Sequence, residues 1–404
     1  MQCTTTLFPL SVSMTLPLAD QHALNHSRLV QSRIRDVIDT AGGWISFEQF
    51  MHLALYAPGL GYYSSGATKL GSAGDFVTAP EISPLFGRSL AQQILQIMRC
   101  MNTPDLLEFG AGSGKLALDV LLELERWDAL PNKYYILDVS AELRLRQQKL
   151  LAEHAPHLCG IIEWLEQLPT EFNGVILANE VLDAMPVHCV TWREHEISER
   201  GVIWENEQFT WQEHPVQNAE LVALANKLSL QIHSSDEPTQ PYQSEINLNA
   251  HYFMRRLAEI LCKGAILLID YGFGSTEYYH PQRNQGTLMC HYRHHAHDDP
   301  FYLPGLQDIT SHVNFSAINQ AVESSTLQLS GFTTQAHFLI NCGITNILAQ
   351  TSAENTHHYL PQANQLHRLI SPAEMGELFK VIAFVKDIPE PLIGFQRGDM
   401  SRML

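Results

Sequence analysis

The chain has 404 residues, of which 45% are apolar, enough for one large core or two domains, and it shows no solenoid repeat or low-complexity tract. Its formal net charge of -18 argues against nonspecific nucleic-acid binding, which depends on Lys and Arg neutralising phosphates, and weakly favours a basic protein partner. The seven cysteines are odd in number and form no C-x-x-C pair, so they indicate reduced thiols and argue against a disulfide framework.

The amino-terminal segment lacks the basic residues of a targeting signal. Its first twenty-seven residues contain no Lys or Arg, which disfavours both a secretory signal and a mitochondrial transit peptide. No apolar run is long enough to span a bilayer, so we expect a cytoplasmic protein without a membrane span. Helical spacing predicts a helix over about Leu29 to Ile38 and a second one over Gly43 to Tyr56, where Ser46 and Gln49 form a capping box.

The next segment, residues 56–87, is rich in glycine, proline and aromatic residues and lacks periodicity. Loops of this length in a compact protein are usually functional or disordered, and the aromatic residues disfavour disorder. We therefore interpret residues 56–87 as an ordered flap that closes over the glycine-rich turn that follows. A helix over Ser89 to Met98 is expected to lead into the first strand of the main sheet.

A glycine-rich turn over Leu106 to Ala117 has the pattern strand, tight turn, helix. Neither the dinucleotide fingerprint nor the P-loop fits, because each requires residues that this turn lacks. Glu108 precedes three glycines at alternate positions (Gly110, Gly112 and Gly114), an arrangement that suits a ligand with an ammonium group and no phosphate, such as S-adenosylmethionine. The alternative is an ordinary strand-to-helix turn without a ligand.

A second carboxylate, Asp138, ends the next predicted strand, Tyr134 to Asp138, and a helical pattern begins at Ala141. An acidic residue at this place in nucleotide-binding sheets accepts hydrogen bonds from ribose hydroxyls. The alternative role is a cap for the following helix, which Ser140 could serve instead.

Two further apolar runs predict parallel strands that are buried on both faces. One runs from Gly174 into Asn179, Glu180 and Asp183, and the other runs from Gly264 to Asp270. Open α/β sheets place their ligands at such carboxyl-terminal strand ends. Between these runs, bulky and polar residues alternate over residues 190–211 and predict inserted antiparallel hairpins, followed by a loop near residues 234–241 and a helix over residues 248–261.

The last third of the chain contains a histidine-rich segment and two strand candidates. The histidines near positions 291–297 lack both the helical pairing and the cysteine spacing of zinc sites, so we expect a polar loop and no metal. Residues 331–338 and 379–386 are two strand candidates that suit the edge hairpin of a methyltransferase sheet.

Together these motifs resemble the MidA family of class I S-adenosylmethionine-dependent methyltransferases, over about Ile34 to Lys386. The glycine turn is common to many methyltransferases, whereas the flap and the Asn-Glu-Val-Leu-Asp segment are specific to this family. The motifs that carry the resemblance lie in residues 61–63, 74–87, 108–114, 178–186, 269–272 and 308–315.

The resemblance implies an α/β, Rossmann-like seven-stranded sheet with helices on both faces, joined by an amino-terminal helical and flap region and by the inserted hairpins. It also implies S-adenosylmethionine as methyl donor. For the mitochondrial relatives, which assist assembly of respiratory complex I, the acceptors are arginine side chains of a protein. The corresponding segments are residues 1–90, the methyltransferase domain over 91–388 with insertions near 190–245 and 275–330, and a tail over 389–404.

The resemblance also implies roles for individual residues. The expected cofactor-binding residues are Asp75, Thr78, Glu108, Gly110, Gly112, Gly114 and Asp138. The expected catalytic residues on the acceptor side are Asn179, Glu180 and Asp183. Asn314 stands where we expect the family to have aspartate, so a role that needs a charge there is in doubt.

If the chain turns helical after the strand, Glu180 and Asp183 share one face and can clamp a guanidinium group, whose nitrogens are poor nucleophiles until carboxylates orient and polarise them. Helix capping is the alternative role for both residues.

We therefore expect an enzyme that methylates arginine in a protein, with a respiratory-complex subunit as one candidate partner. Two alternatives stay open: a catalytically silent assembly factor on the same fold, and a methyltransferase for small molecules. The sequence leaves the methyl acceptor and the oligomeric state open.

Overall fold

A computed structural model describes residues 16–65, 78–193, 196–232, 241–389 and 391–404. The α-helices of these residues are α1 (Gln21–Thr40), α2 (Phe47–Tyr56), α3 (Ala79–Ile82), α4 (Pro84–Met98), α5 (Lys115–Glu125), α6 (Ala141–His154), α7 (Ala219–Ile232), α8 (Leu248–Ile260), α9 (Ser275–Tyr278), α10 (Phe315–Gln320), α11 (Gln335–Asn341), α12 (Ile344–Leu348), α13 (Thr356–Ile370) and α14 (Met375–Leu378). None of the helices within the described ranges is long and apolar enough to cross a membrane.

The strands of the described residues form three sheets. In chain order they are β1 (Ile45–Ser46), β2 (Asp105–Phe109), β3 (Tyr134–Leu137), β4 (Ile162–Leu165), β5 (Phe172–Asn179), β6 (His188–Arg193), β7 (Glu196–Glu205), β8 (Gln208–Pro215), β9 (Tyr242–Ile246), β10 (Leu261–Phe273), β11 (Met289–Tyr292), β12 (His295–His297), β13 (Asp308–Thr310), β14 (Val313–Asn314), β15 (Gln328–Thr334) and β16 (Phe379–Lys386).

The main sheet has the strand order β15-β16-β10-β5-β2-β3-β4, and the short β14 pairs with the end of β10. The strands from β10 to β4 are mutually parallel, whereas β16 is antiparallel to both of its neighbours. The predicted seven-stranded sheet is thus confirmed. The strand order reverses between β2 and β5, and the carboxyl ends of these strands therefore border the crevice in which open α/β sheets bind ligands.

Side chains of the central strands alternate between two hydrophobic cores, as the two-residue period of a strand requires. Leu106, Leu177 and Leu267 lie in the core covered by α4, α5 and α11, and Leu107, Ile176 and Leu268 lie in the core covered by α8 and α10. Helices therefore cover both faces, as predicted. Because these strands are buried on both sides, they are continuous apolar runs in the sequence.

The predicted antiparallel hairpins are also present. Strands β6, β7 and β8 form a second, antiparallel sheet that is completed by β9 and by the two-residue β1 from the amino-terminal region. Helices α1 and α2 pack on one face of this sheet, where Phe47 and Phe50 are fully buried, and α7 packs on the other, against Trp192. The amino-terminal region is thereby joined to the insertion between β5 and β10.

Helix starts differ from the predictions where capping residues extend a helix. Helix α1 begins at Gln21 instead of Leu29, because the Asp20 carboxylate accepts a hydrogen bond from the Ala23 N–H at 2.8 Å. Helix α4 begins at Pro84 instead of Ser89, because Ser83 caps it and proline is favoured in the first helical turn. The predicted Ser46 cap of α2 is confirmed.

These starts correct the prediction of an aperiodic flap over residues 56–87, since residues 79–82 and 84–87 are helical. Residues 66–77 of that segment lie outside the described residues. Most of the loop predicted near residues 234–241 also lies outside them.

The predicted strand over residues 331–338 is shifted towards the amino terminus. Strand β15 ends at Thr334, whose hydroxyl caps α11 through the His337 N–H. Strands β15 and β16 do pair, but the connection between them contains α11 to α14 and is not a short hairpin loop.

The core of the main sheet provides a test of this packing. We expect Leu268→Ala in β10 to lower the free energy of unfolding by about 2–5 kcal/mol, because the fully buried side chain leaves a cavity. Leu145→Ala on α6, where the side chain is 65% exposed, should change it by less than about 0.5 kcal/mol. Urea unfolding of both variants measures the difference, and equal midpoints would contradict the assigned burial.

Candidate functional site

The glycine-rich turn connects β2 to α5, as predicted, and the structure places it at the reversal of the strand order. Gly110, Gly112 and Gly114 have φ values of 58°, 55° and 88°, a left-handed conformation that side-chain-bearing residues seldom adopt. The Gly110 N–H donates to the Leu137 carbonyl of β3 at 3.0 Å. The turn therefore needs its glycines, and its start is held against the neighbouring strand.

A cavity of about 1260 Å³ opens at the carboxyl ends of the central strands. Eight of the predicted site residues line it: Thr78, Glu108, Gly110, Gly112, Asp138, Asn179, Glu180 and Asp183. Gly114 is absent from its lining, and Asp75 lies outside the described residues. The structure thus brings residues from positions 78 to 183 of the chain into one site.

Glu108 lies at the base of the cavity and is 3% exposed. Burial raises the pKa of its carboxyl group to about 7, a hydrogen bond from the Tyr134 hydroxyl opposes that shift, and the charge of Asp138 adds to it. The hydroxyl oxygen of Tyr134 lies 2.6 Å from Oε2 of Glu108. A positive charge bound beside Glu108 would favour its ionised form.

Asp138 follows β3 and faces the glycine turn across the cavity. Its Oδ1 accepts from the Ser140 N–H at 2.9 Å, and its Oδ2 accepts from the Gln147 side-chain amide at 2.9 Å. The Ser140 hydroxyl caps α6 by accepting from the Leu143 N–H at 3.3 Å. The alternative interpretation of Asp138 as the helix cap is therefore wrong, because Ser140 has that role.

The segment after β5 is irregular. Glu180 has a φ of 53°, and its N–H donates to the Ile269 carbonyl of β10 at 2.9 Å. Buried Asp270 accepts from the N–H groups of Leu182 and Asp183 at 3.0 and 3.2 Å, which fixes the turn.

The helix suggested for Glu180 and Asp183 does not form, so their alternative role as helix caps is excluded as well. Both nevertheless line the cavity, because the turn held by Asp270 brings them to it. Glu180 also has a left-handed backbone conformation, which costs of order 1–3 kcal/mol in a non-glycine residue and often marks a functional site.

The carboxylates of this turn titrate near neutral pH. Burial, reinforced by the charge of Asp183, raises the pKa of Glu180 to about 7, although hydrogen bonds from the Asn179 side chain and the Ala79 N–H oppose the shift. Burial raises the pKa of Asp183 to about 6, against a hydrogen bond from Tyr271. Perturbed carboxylates of this kind in a cavity are typical of functional sites.

Two acceptor atoms at this end of the cavity have no hydrogen-bond partner among the described residues. They are Oδ1 of Asn179 and Oδ1 of Asp183, and both atoms are buried. A buried acceptor without a partner costs about 1–3 kcal/mol, and a ligand that donates hydrogen bonds to it recovers that energy. The part of the cavity lined by Asn179, Glu180 and Asp183, called the acceptor end below, is therefore suited to a group that carries several N–H donors.

Tyr56 and Tyr63 from the amino-terminal region line the same cavity as Glu180 and Asp183. The Tyr63 hydroxyl donates to Asp308 at 2.9 and 3.0 Å, and the Tyr56 hydroxyl donates to the Ala184 carbonyl at 2.9 Å. The two rings stack with centroids 5.4 Å apart. Composition indicated an aromatic flap here, but the hydrogen bonds to Asp308 and Ala184 join residues far apart in the sequence and have no local signal.

The structure also bears on the expectations for Asn314 and for the histidine-rich segment. Asn314 caps α10 by accepting from the Ala317 N–H at 3.2 Å, a role that asparagine and aspartate perform about equally well. His291 lies on β11, and both it and His312 line the cavity. Tyr134 and Gln147 contact site residues, and no sequence pattern indicated such a role for either of them.

Three features define a class I S-adenosylmethionine-dependent methyltransferase. Strand β16, the last in the chain, is inserted antiparallel into the main sheet, the glycine turn follows β2, and the carboxylate of Asp138 follows β3. A family model described as "Putative S-adenosyl-L-methionine-dependent methyltransferase" matches residues 89–333. The chain belongs to the MidA family of these enzymes, as its motifs indicate.

Solved structures extend the comparison to nearly the whole chain. A protein from Burkholderia thailandensis, called a "likely methyl transferase" and bound to S-adenosyl-homocysteine, is 47% identical with a TM-score of 0.91, covering 96% of this chain and 100% of that one. The cofactor of the chain is accordingly S-adenosylmethionine.

Curated relatives are more distant. The protein arginine methyltransferase NDUFAF7, mitochondrial, of Danio rerio is 28% identical over 84% of this chain and 83% of its own length. The Drosophila melanogaster homologue is 27% identical over 92% and 89%, respectively.

We propose that the glycine turn binds the cofactor and predict that Gly110→Ala lowers the affinity for S-adenosylhomocysteine at least tenfold. Alanine is strained at a φ of 58°, and its Cβ would lie 3.1 Å from Cγ2 of Val181. Gly160→Ala is the matched control, since a Cβ there meets no atom within 4 Å. Isothermal titration calorimetry measures both affinities, and equal affinity for folded Gly110→Ala and wild type would refute the assignment.

Proposed function

We propose that the chain transfers methyl groups from S-adenosylmethionine to arginine side chains of a protein. The observation that carries the proposal is a pair of buried acceptor atoms, Oδ1 of Asn179 and Oδ1 of Asp183, to which no described residue donates a hydrogen bond. They lie beside Glu180 in the cavity that the glycine turn also lines. The names of the curated relatives support arginine as the acceptor.

The cofactor end fits the ligand by charge and by backbone geometry. S-adenosylmethionine, when bound, supplies an electrophilic methyl group on a positively charged sulfur. We assign its cationic part to the neighbourhood of Glu108 and its ribose hydroxyls to Asp138, with Thr78, Gly110 and Gly112 lining the same space. Gly110 and Gly112 carry no Cβ, so a ligand can approach the backbone of the turn at these two positions.

The acceptor end fits a guanidinium group. Arginine presents five N–H donors in one plane, and the cavity offers Glu180, Asp183 and Asn179 as acceptors. The stacked rings of Tyr56 and Tyr63 line the same cavity, and tyrosine faces attract cations. These residues would orient and polarise the guanidinium, because its nitrogens are poor nucleophiles when the charge is delocalised.

Proton transfer gives Glu180 a second role in this proposal. A guanidinium nitrogen that gains a methyl group must lose one proton for the product to keep a single positive charge. Burial raises the pKa of Glu180 to about 7, so its ionised form is a suitable acceptor for that proton. Asp183, with a pKa of about 6, would hold the guanidinium in place.

The partner and the location are proposals as well. We infer a protein substrate from the relatives and keep a respiratory-complex subunit as a candidate from the family resemblance. We keep the cytoplasmic location expected from the sequence as a proposal, whereas the curated relatives are named mitochondrial.

Removal of the Glu180 charge tests the acceptor site. We expect Glu180→Gln to lower methyl transfer to protein by about a hundredfold or more, because one preorganised electrostatic group is lost. The assay is transfer of label from S-adenosylmethionine to proteins of a cell extract from the source organism, with Asp183→Asn as a second variant and exposed Glu205→Gln as the control. Calorimetry with S-adenosylhomocysteine should give wild-type affinities for all three variants.

The outcomes separate the alternatives. Full activity of both Glu180→Gln and Asp183→Asn would remove these residues from the acceptor site. Label in small molecules alone would support a small-molecule methyltransferase, and no label with intact cofactor binding would support an assembly factor without turnover.

The pH profile provides an independent test. At saturating S-adenosylmethionine, kcat/KM for the protein acceptor should rise as the pH increases through 6 to 7, because Glu180 and Asp183 must lose their protons to bind a cation. Glu180→Gln should lose the part of this rise near pH 7. Initial rates between pH 5.5 and 8.5 measure it, and identical profiles for wild type and Glu180→Gln would contradict the assigned role.

A further inference from the structure

We propose that Gln147 of α6 is a positioning residue that sets the geometry of the cofactor site by holding the glycine turn and the Asp138 carboxylate with a single amide group. This inference rests on the cofactor site proposed above. Gln147 is absent from the lining of the cavity and, among the described residues, hydrogen-bonds to Gly112 and Asp138 of the site.

Both polar atoms of the Gln147 side chain have hydrogen-bond partners. Its Nε2 donates to the Gly112 carbonyl at 3.0 Å and to Oδ2 of Asp138 at 2.9 Å. Its Oε1 accepts from Nε1 of Trp164, at the end of the sheet, at 2.9 Å. The residue is 0% exposed, so water does not replace any of these bonds.

The chemistry of the three partners determines which way the amide points. A carbonyl and a carboxylate only accept hydrogen bonds, whereas an indole N–H only donates. The amide must therefore turn its NH₂ group to the cofactor site and its oxygen to Trp164. Among side chains of this length, only an amide offers two donors and one acceptor in that arrangement.

Gly114 explains how Gln147 comes so close to the turn. A Cβ at Gly114 would lie 3.2 to 3.3 Å from Cα, Cβ and Cγ of Gln147, which is tighter than ordinary packing. Gly114 does not line the cavity, so in this interpretation it serves the cofactor site indirectly, by leaving room for Gln147.

The effect on Asp138 follows from the same contacts. Gln147 occupies one side of Oδ2, and the Ser140 N–H occupies one side of Oδ1. These two hydrogen bonds fix the carboxylate in rotation. A fixed pair of acceptors is suited to two adjacent hydroxyl groups, such as those of a ribose.

The test replaces the amide by an apolar side chain of similar length. Gln147→Met should lower the affinity for S-adenosylhomocysteine about 10- to 100-fold in calorimetry, with kcat at saturating cofactor changed much less than KM for S-adenosylmethionine. The matched control is Gln93→Met in α4, where another fully buried glutamine hydrogen-bonds with the Gly394 N–H and with Gln96, none of which is among the residues that line the cavity. It should leave the affinity unchanged.

Two further variants separate positioning from packing. Trp164→Phe keeps Gln147 but removes the donor that orients its amide, and it should lower the affinity about 3- to 10-fold. Gln147→Glu sets a carboxylate against the Gly112 carbonyl and Asp138, and protonation at low pH restores one donor. The ratio of wild-type to Gln147→Glu affinity should therefore fall as the pH decreases from 8 to 6, whereas the ratio for Gln147→Met should stay constant.

Ratios to wild type are needed because other groups near Gln147 also carry charge. Asp138 contacts it, Glu108 lies close enough to Asp138 for their charges to interact, and Arg144 on the same helix donates to the Leu165 carbonyl. Glu108 is present in wild type and variants, so the ratio removes the part of its titration that they share.

Unchanged affinity in folded Gln147→Met and Trp164→Phe would overturn the inference, as would a constant ratio for Gln147→Glu. If Gln147→Met does not fold, Trp164→Phe decides. The cofactor site itself is tested separately: wild-type affinity in Gly110→Ala refutes that site, whereas a loss in Gly110→Ala without a loss in the Gln147 and Trp164 variants refutes only the role of Gln147.

Discussion

Buried carboxylates without a salt-bridge partner dominate the carboxyl ends of the central strands. Glu108, Glu180, Asp183 and Asp270 lie there, and within the described residues no Lys or Arg forms a salt bridge with any of them. Burial raises the pKa of each, because a charged carboxylate loses its hydration in the protein interior. Such a cluster destabilises the fold at neutral pH, and cationic ligands relieve it.

The surrounding structure keeps these groups apart and oriented by hydrogen bonds from neutral donors. The Tyr134 hydroxyl donates a hydrogen bond to Glu108, and the Ala79 N–H donates one to Glu180. The N–H groups of Leu182 and Asp183 donate to Asp270. Neutral donors leave the negative charge of the cavity available, whereas lysine or arginine would neutralise it. This arrangement is consistent with a site that accepts a positively charged cofactor and a positively charged substrate.

The inserted second sheet has a direct connection to the site. The chain leaves β5 through the turn that contains Glu180 and Asp183, forms β6 to β9, and returns through α8 to β10. The amino-terminal helices pack on this insertion and bring Tyr56 and Tyr63 to the acceptor end. In the proposed function, the insertion and the amino-terminal helices would shape the site for the acceptor, while the main sheet would present the cofactor.

The sequence by itself determined the features that depend on local patterns. The alternation of Leu106 and Leu107 between two cores, the capping of α2 by Ser46, and the glycine turn after β2 each follow from neighbouring residues. Local patterns suffice here because strand period, capping and backbone freedom act over a few residues. The motifs also identified the family, and with it the cofactor.

Tertiary structure alone decided the contacts that join distant segments. The bond from Tyr63 to Asp308 spans 245 residues, that from Tyr134 to Glu108 spans 26, and that from Gln147 to Gly112 spans 35. None has a periodic signal, since each depends on how whole elements pack. The turn after Asn179 shows the same limit: spacing suggested a helix, but Asp270, on another strand, holds Leu182 and Asp183 in an irregular turn. Hydrogen bonds from the Leu182 and Asp183 N–H groups to a distant buried carboxylate outweigh local helical preference there, because an unsatisfied carboxylate in the interior costs more than a lost helical turn.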